Sequence, residues 1–262
     1  MNIKRFFDYK AAHKVADQIV AGNLLAEVSS KSKYQIPVIL VSYNNGPYVR
    51  NMVRQLVQRE SYPLIIDNNS TDPQTLAVLK ECQKLGAAVV RSSKNLRHLV
   101  GFFDPIYKLL PEVFAYTDPD LQFNPNLPEN FLTELLELTN QYQCFKAGMA
   151  LDISNFGTPK NWKSTTKRKY PFLFQREHDI LDWERQFWTM PLKHDRLEVY
   201  AAPVDTTFAV YQKKYFLNGD FARGVRVAGN FSTCHLPWYS HLELLSDAEQ
   251  VTYLKYKKVG FR

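Results

Sequence analysis

Asp118-Pro119-Asp120 sets two carboxylates one residue apart behind the apolar run EVFAYT. Such a pair can hold a hard divalent cation, Mn²⁺ or Mg²⁺, because these ions take oxygen ligands and share their shell with phosphates. The competing reading is a turn whose aspartates cap a helix. Asp67 closes a second apolar run, PLIID, where a strand-end acid can accept hydrogen bonds from a base or a ribose. Asn68 follows it, and the alternative there is a loop in which Asn69, Ser70 and Asp72 form turns and Asp72 caps the helix after Pro73. Ser42, Tyr43 and Asn44 end a third run, with Tyr43 able to stack on a base or simply to pack. Lys94, Asn95, Arg97 and His98 stand at a helix start, where cations and backbone N–H groups favour phosphate and a solvated loop is the alternative.

His235, in the aromatic setting CHLPWY, is the first choice for a third metal ligand beside Asp118 and Asp120, ahead of His241. A structural imidazole is the bland alternative. Three acids are candidates for proton transfer: Glu184, between Trp183 and Arg185, and Asp205 and Asp152, at or inside apolar strands where a charge needs a reason. A well-placed general base contributes about 10²- to 10⁴-fold in rate. Glu184 and Asp205 rank above Asp152.

The elements that position these residues can be read from periodicity. Residues 3 to about 27 form an amphipathic helix, with Ile3, Phe6, Phe7, Val15, Ile19 and Val20 on one face and Lys4, Arg5, Lys10 and Lys14 between them. It either packs on the main domain or lies on an anionic membrane surface. From Ile36, IPVILVSYNN, PLIID, AAVVR and EVFAYT read as buried strands, alternating with helices at 48–59, 73–85, up to about Leu110, and 128–141. CFKAGMALDIS is a further strand. Strand, loop and helix in alternation mean βαβ units and a mainly parallel sheet flanked by helices. Ligands of such sheets bind outside the carboxyl ends of the strands, where SYNN, DNNSTD, SSKN and TDPD all fall. Beyond 153 the pattern loosens: a basic loop over 155–178 (Lys160, Lys163, Lys167, Arg168, Lys169), a helix DILDWERQFW and a strand VDTTFAVY.

With 262 residues, 45% of them hydrophobic, the chain can bury a full core. Cys82, Cys144 and Cys234 form no Cys-x-x-Cys pair, which fits a reducing cytosol rather than a disulfide framework or zinc knuckle. No apolar run is long enough to span a membrane, and charge in MNIKRFFDYK argues against a signal peptide. A cytoplasmic protein, with peripheral contact on the inner face of the membrane as the variant, is the expectation. The net charge of +7 points to an anionic partner: nucleotide, nucleic acid or membrane surface.

Taken together, IPVILVSYNN, IIDNNSTD, VVRSSKN and YTDPDLQF, in this order over residues 36 to about 152, resemble the GT-A fold glycosyltransferases of family 2, in a bacterial subgroup. The resemblance implies a Rossmann-like α/β domain with a helical extension at 1–35, a nucleotide-sugar half at 36–152 and a smaller acceptor half at 153–262. It implies that Tyr43, Asn44 and Asp67 contact the nucleoside, with Ser42, Asn68, Asn95 and Arg97 around it, and that Asp118 and Asp120 reach metal and diphosphate. The implied activity is metal-dependent transfer of a sugar, from a UDP-sugar by preference, to a glycan or glycolipid hydroxyl in surface polysaccharide synthesis, with no nucleic-acid partner. The chain departs from the family in KNLRHLVG, where a glycine is usual after the asparagine. It also lacks the Glu-Asp pair and the Gln-x-x-Arg-Trp signature, of which DWERQFW is an echo.

Two other classes stay open on the residues. A sugar nucleotidyltransferase would share sheet and metal but should carry a glycine-rich basic loop where SYNNGPY stands. A non-enzymatic nucleic-acid binder would explain the charge, though it should interleave basic and aromatic residues on one face. The Trp183, Trp188, Trp238 and Tyr239 rings would suit stacking on sugar rings, though core packing is the more frequent fate of a tryptophan.

Overall fold

The computed structural model describes residues 3–153, 180–217 and 221–256. The basic stretch read at 155–178 lies outside the described residues. Helices α1 (Ile3–Ala21) and α2 (Leu24–Lys31) precede β1 (Val38–Ser42), α3 (Gly46–Val57), β2 (Pro63–Asp67), α4 (Pro73–Lys84) and β3 (Ala88–Arg91). Then come α5 (Asp104–Tyr107), β4 (Val113–Thr117), β5 (Leu121–Phe123), α6 (Phe131–Gln141) and β6 (Lys146–Met149). The later part holds α7 (Ile180–Arg185), β7 (Pro191–Leu192), β8 (Val199–Ala201), β9 (Ala209–Gln212), β10 (Gly224–Val227), β11 (Thr233–His235) and α8 (Asp247–Tyr256).

Among the described residues, nine strands form one sheet in the order β3-β2-β1-β4-β9-β6-β10-β8-β7, while β5 and β11 pair separately. The β3, β2, β1 and β4 ladders are parallel, β9 runs antiparallel between β4 and β6, and β8 runs antiparallel to β10 and β7. The mainly parallel α/β sheet expected from the sequence is therefore present, and it draws strands from both sides of residue 152. Side chains alternate across it. Val38, Leu40 and Ile65 join α3, α4 and α6 in one core, whereas Ile39, Val41, Leu64 and Ile66 join α1 and α5 in the other. Burying each such Val, Leu or Ile stabilises by about 1.5–3 kcal/mol, which is why these strands read as unbroken apolar runs.

Four expectations need correction. The first helix does not run to 27: it ends at Ala21, and Asn23 takes a left-handed backbone (φ 48°) before α2. Gly22 weakens the helix at that point, and asparagine tolerates the left-handed conformation. The apolar helix expected up to Leu110 is instead a 3₁₀ turn, Val100–Phe102, and the single turn of α5. Pro105 accepts only a first-turn position, and a Cβ on Gly101 would overlap the Tyr116 ring. VDTTFAVY becomes a strand only at Ala209, because residues 206–208 bend and the Thr206 carbonyl is taken by the Asp118 N–H. Asp205 consequently lies outside a strand and is exposed; Asp152 does too, half-buried, because the strand read over CFKAGMALDIS is only Lys146–Met149.

The face of α1 carrying Ala11, Ala12, Val15, Ala16 and Ile19 is buried against the domain, whereas Val20, expected on the same face, is exposed because it follows the last buried turn of the helix. No described helix is long and apolar enough to cross a membrane.

Candidate active site

The strand order reverses around β1, which has β2 on one side and β4 on the other. The crevice beyond their carboxyl ends is where a doubly wound sheet offers its loops to a ligand. Ser42, Asp67 and Thr117, the last residues of β1, β2 and β4, all abut it.

The first two loops are clamped together by Asn44. Its backbone is left-handed (φ 47°), its Oδ1 accepts the N–H groups of Thr71 (2.8 Å) and Asp72 (3.0 Å), and its own N–H donates to Ser70 Oγ (2.9 Å). Ser42 Oγ and the Tyr43 N–H turn to Asn45 Oδ1 (3.3 and 3.1 Å). Asp67 is wholly buried, yet its charge is met: it accepts the Ser70 N–H (3.0 Å), the Ser70 hydroxyl and Arg91 Nε (3.1 Å). Arg91 stands opposite Asp67 in the β2–β3 register, which is how a carboxylate can be buried at a strand end without an uncompensated charge.

Asp72 is the N-cap of α4, as expected: its carboxylate accepts the Thr75 N–H (2.7 Å) and hydroxyl (2.8 Å). Thr75 Oγ1 in turn accepts the Gly46 N–H (3.0 Å), so the two helix starts are tied, and a Cβ on Gly46 would stand 2.9 Å from Thr75 Cα. Asp72→Ala is expected to cost about 1 kcal/mol, read as a lower urea midpoint at unchanged slope.

The third loop is held by Asn68, whose Oδ1 accepts the Leu96 N–H (3.1 Å) and whose amide donates to the Arg97 carbonyl (2.9 Å). Asn95 Oδ1 accepts the Arg97 N–H (2.8 Å), and Arg97 sits at φ 71° with its side chain exposed. Asn68, Asn95 and Arg97 are thus brought together beside Asp67.

Across the crevice, Asp118 follows β4 and Asp120 precedes β5. Asp118 donates its N–H to the Thr206 carbonyl (3.0 Å) and accepts the Thr206 hydroxyl on Oδ2. Asp120 is largely buried, its carbonyl accepts the Leu236 N–H (2.9 Å), and its Oδ2 accepts the Tyr253 hydroxyl (2.6 Å). Burial first, then the Asp120 charge, holds the Tyr253 phenol well above its ordinary pKa, so it is a proton donor. Because β11 pairs antiparallel with β5, His235 lies opposite Leu121 and its Nε2 comes to 3.4 Å from Asp120 Oδ2. His235 Nδ1 is buried with no hydrogen-bond partner among the described residues.

Among the described residues, no three His, Cys, Asp or Glu side chains form a ready metal cage. A hard cation bound through one or two carboxylates and substrate phosphates does not require one. The two carboxylates are oxygen donors of the kind Mn²⁺ or Mg²⁺ accepts, and an imidazole ligand suits Mn²⁺ better than the harder Mg²⁺. A small cavity of about 140 Å³ lies nearby, between Asn44, Gly46, Asp72 and Thr75 on one side and Leu245, Ala248 and Glu249 on the other.

The three acids of proton transfer have separate fates. Glu184 is buried in an ion pair with Arg226, whose Nε donates to the Pro203 carbonyl (2.7 Å) and whose guanidinium lies 4.1 Å from the centre of the Phe187 ring. Burial raises the Glu184 carboxyl, Arg226 opposes it and the nearby Asp205 charge adds to the rise. Asp205 itself is exposed and precedes Thr206, whose hydroxyl bonds Asp118. Asp152 lies near Cys234 and Tyr239, and its carbonyl accepts the Tyr239 hydroxyl (3.3 Å). Trp238 and Tyr239 are buried, Trp238 against His235 (4.8 Å between rings), while Trp183 and Trp188 are half-buried against Phe187 and Tyr200. His241 contacts the Tyr239 ring instead of the Asp pair (5.9 Å between rings).

Sequence reasoning misses Arg91, Thr206 and Tyr253, and gives Ser70 only a place in a turn. Arg91 can be found from strand register, and Thr206 from its neighbour Asp205; nothing local marks Tyr253.

Residues 38–194 match the model of glycosyl transferase family 2. The chain belongs to that family, and its sheet with flanking helices is the family's GT-A arrangement. That family is one of glycosyl transferases rather than nucleotidyltransferases. No curated protein matches it. Solved structures similar to it include TarS 1–349 of S. aureus, at 13% identity over 76% of this chain and 59% of that one, with a TM-score of 0.43. Another is the mannosyltransferase PcManGT of Pyrobaculum calidifontis, in complex with GDP-Man and Mn²⁺, at 12% identity over 87% of this chain and 67% of that one, with a TM-score of 0.44. The chain spans only 23% of a longer TarS chain, at 16% identity over 48% of its own length and a TM-score of 0.34.

Proposed function

We propose that this glycosyltransferase is metal-dependent and moves a sugar from a nucleoside diphosphate sugar, UDP-linked by the family resemblance, to a hydroxyl of a glycan or lipid-linked acceptor, as in surface polysaccharide synthesis. The supporting observation is the proximity of His235 to Asp120, two residues beyond Asp118, at the crevice that the Asp67 loop also borders. In this reading residues 36–152 form the donor half and 153–262 the acceptor half of one domain, with 1–35 packed on it.

Tyr43 borders the nucleoside, Ser42 and Asp67, both wholly buried, form the floor of its site, Asn44 and Asn68 serve it by fixing the loops, and Asn95 and Arg97 offer polar groups to the diphosphate. Donor cleavage develops negative charge on the leaving diphosphate, which a cation held by Asp118 and Asp120, with His235 as third ligand, would offset as a Lewis acid. Asp205 takes the acceptor proton, since it is exposed beside the residue that holds Asp118, whereas Glu184 is bound to Arg226. The charge of +7 suits the anionic donor. A peripheral contact at the cytoplasmic face of a membrane draws its support from charge and from the exposed Val20, because Val15 and Ile19 of the α1 stripe are packed inside.

Thermal unfolding with UDP, GDP or CMP, each with Mn²⁺ or EDTA, tests the donor site. A ligand at 100 times its Kd stabilises by about 2.7 kcal/mol, so one nucleotide should raise Tm with Mn²⁺, less with EDTA, and not in Asp120→Ala. No shift with any of them sinks the metal-dependent reading.

A further inference from the structure

We propose that Thr206 and Tyr253 are positioning residues for the aspartate pair: each gives a hydroxyl hydrogen bond to one carboxylate oxygen and so fixes the rotation of that carboxylate for cation binding. The inference rests on the reading that Asp118 and Asp120 hold the donor's cation.

The two contacts are alike in form and independent in origin. Thr206 Oγ1 donates to Asp118 Oδ2, and Tyr253 donates to Asp120 Oδ2, from 88 and 133 residues away respectively. Thr206 engages Asp118 at two points, because its carbonyl also accepts the Asp118 N–H (3.0 Å). Backbone and carboxylate are thereby set as a unit, just past the end of the β4–β9 ladder where Tyr116 faces Ala209.

Tyr253 is itself braced. Its ring meets Tyr48 edge-on (5.6 Å, 75°), the Tyr48 hydroxyl donates to Glu243, and Glu243 also accepts the Leu245 N–H (3.0 Å). Leu236 and Leu245 pack with Tyr48 around it. The helix that carries Tyr253 begins at a cap in which Glu249 accepts both the N–H and the hydroxyl of Ser246 (2.7 and 2.6 Å). A hydroxyl on a braced ring can orient a carboxylate only if the ring stays where it is, and these contacts meet that condition.

The chemistry of the donors matters as much as their place. A lysine or arginine at either position would orient the carboxylate and cancel its charge, lowering its attraction for a cation. A hydroxyl orients without neutralising. Partners that orient a metal-binding carboxylate typically contribute about 10- to 100-fold in affinity or activity.

The test is Mn²⁺ binding to the full chain, followed by the paramagnetic resonance of free Mn²⁺, with and without UDP. Wild type is compared with Asp120→Ala, Thr206→Val, Thr206→Ser and Tyr253→Phe, and Tm of each metal-free protein reports folding. Thr206→Val and Tyr253→Phe should each weaken binding by about tenfold, while Thr206→Ser, which keeps the hydroxyl, should stay near wild type. Wild-type affinity in Thr206→Val and Tyr253→Phe overturns the proposal with the donor-site reading intact. Tighter binding in Tyr253→Phe also overturns it, since the hydroxyl would then compete with the cation. Equal binding by wild type and Asp120→Ala, or none by either, overturns the donor-site reading and this one with it.

Discussion

Asp205→Asn is expected to lower kcat by about 10²- to 10⁴-fold, the usual contribution of a placed general base, while leaving the nucleotide-dependent rise in Tm intact. The carboxylate is exposed beside Thr206, which holds Asp118. In the proposed mechanism it therefore stands next to the donor's diphosphate without being needed to bind it. Asparagine keeps the shape and removes the proton acceptor, so binding and chemistry should separate. Asp152→Asn should do much less, because that residue sits among Cys234 and Tyr239 behind β11. A kcat within about threefold of wild type for Asp205→Asn, far below a general base's contribution, removes Asp205 from the mechanism.

Arg226→Met is expected to destabilise the fold by about 3–5 kcal/mol, the cost of stripping one partner from a buried ion pair. Both side chains are almost fully enclosed, 5% exposed for Arg226 and 3% for Glu184. Removing the guanidinium leaves the carboxylate without its countercharge and empties the space over Phe187. Glu184→Leu with Arg226→Met should recover most of the loss, since replacing a buried pair by apolar groups is often neutral or better. Chemical denaturation of the two single variants and the double closes the cycle. A single variant within about 1 kcal/mol of wild type would mean the pair contributes little beyond an ordinary surface contact. This pairing is also why Glu184, attractive in sequence beside Trp183, is a wall of the acceptor half in our reading and Asp205 its base.

Much of the donor half is legible in the amino-acid sequence. VILVS, PLIID and VFAYT declare themselves as central strands because they are buried on both faces, and a parallel strand so buried needs no polar alternation. Asp72 before Pro73 announces its helix because capping is settled within four residues. The Asp pair stands out because a polar loop must follow a buried strand, and that edge is where ligands sit.

What tertiary structure decides is every pairing between distant segments. The antiparallel insertion of β9 between β4 and β6 has no local signature, since a strand's own pattern does not name its neighbours. With that insertion come the bends at 206–208, the exposure of Asp205 and the seating of Thr206 on Asp118. The pairing of β11 with β5 brings His235 to Asp120, and the packing of α8 on Tyr48 brings Tyr253 there as well. Periodicity, caps and turns are governed by neighbours along the chain and so can be read from it. Which hydroxyl meets which carboxylate depends on how whole apolar faces are buried together, and only the folded chain sets that.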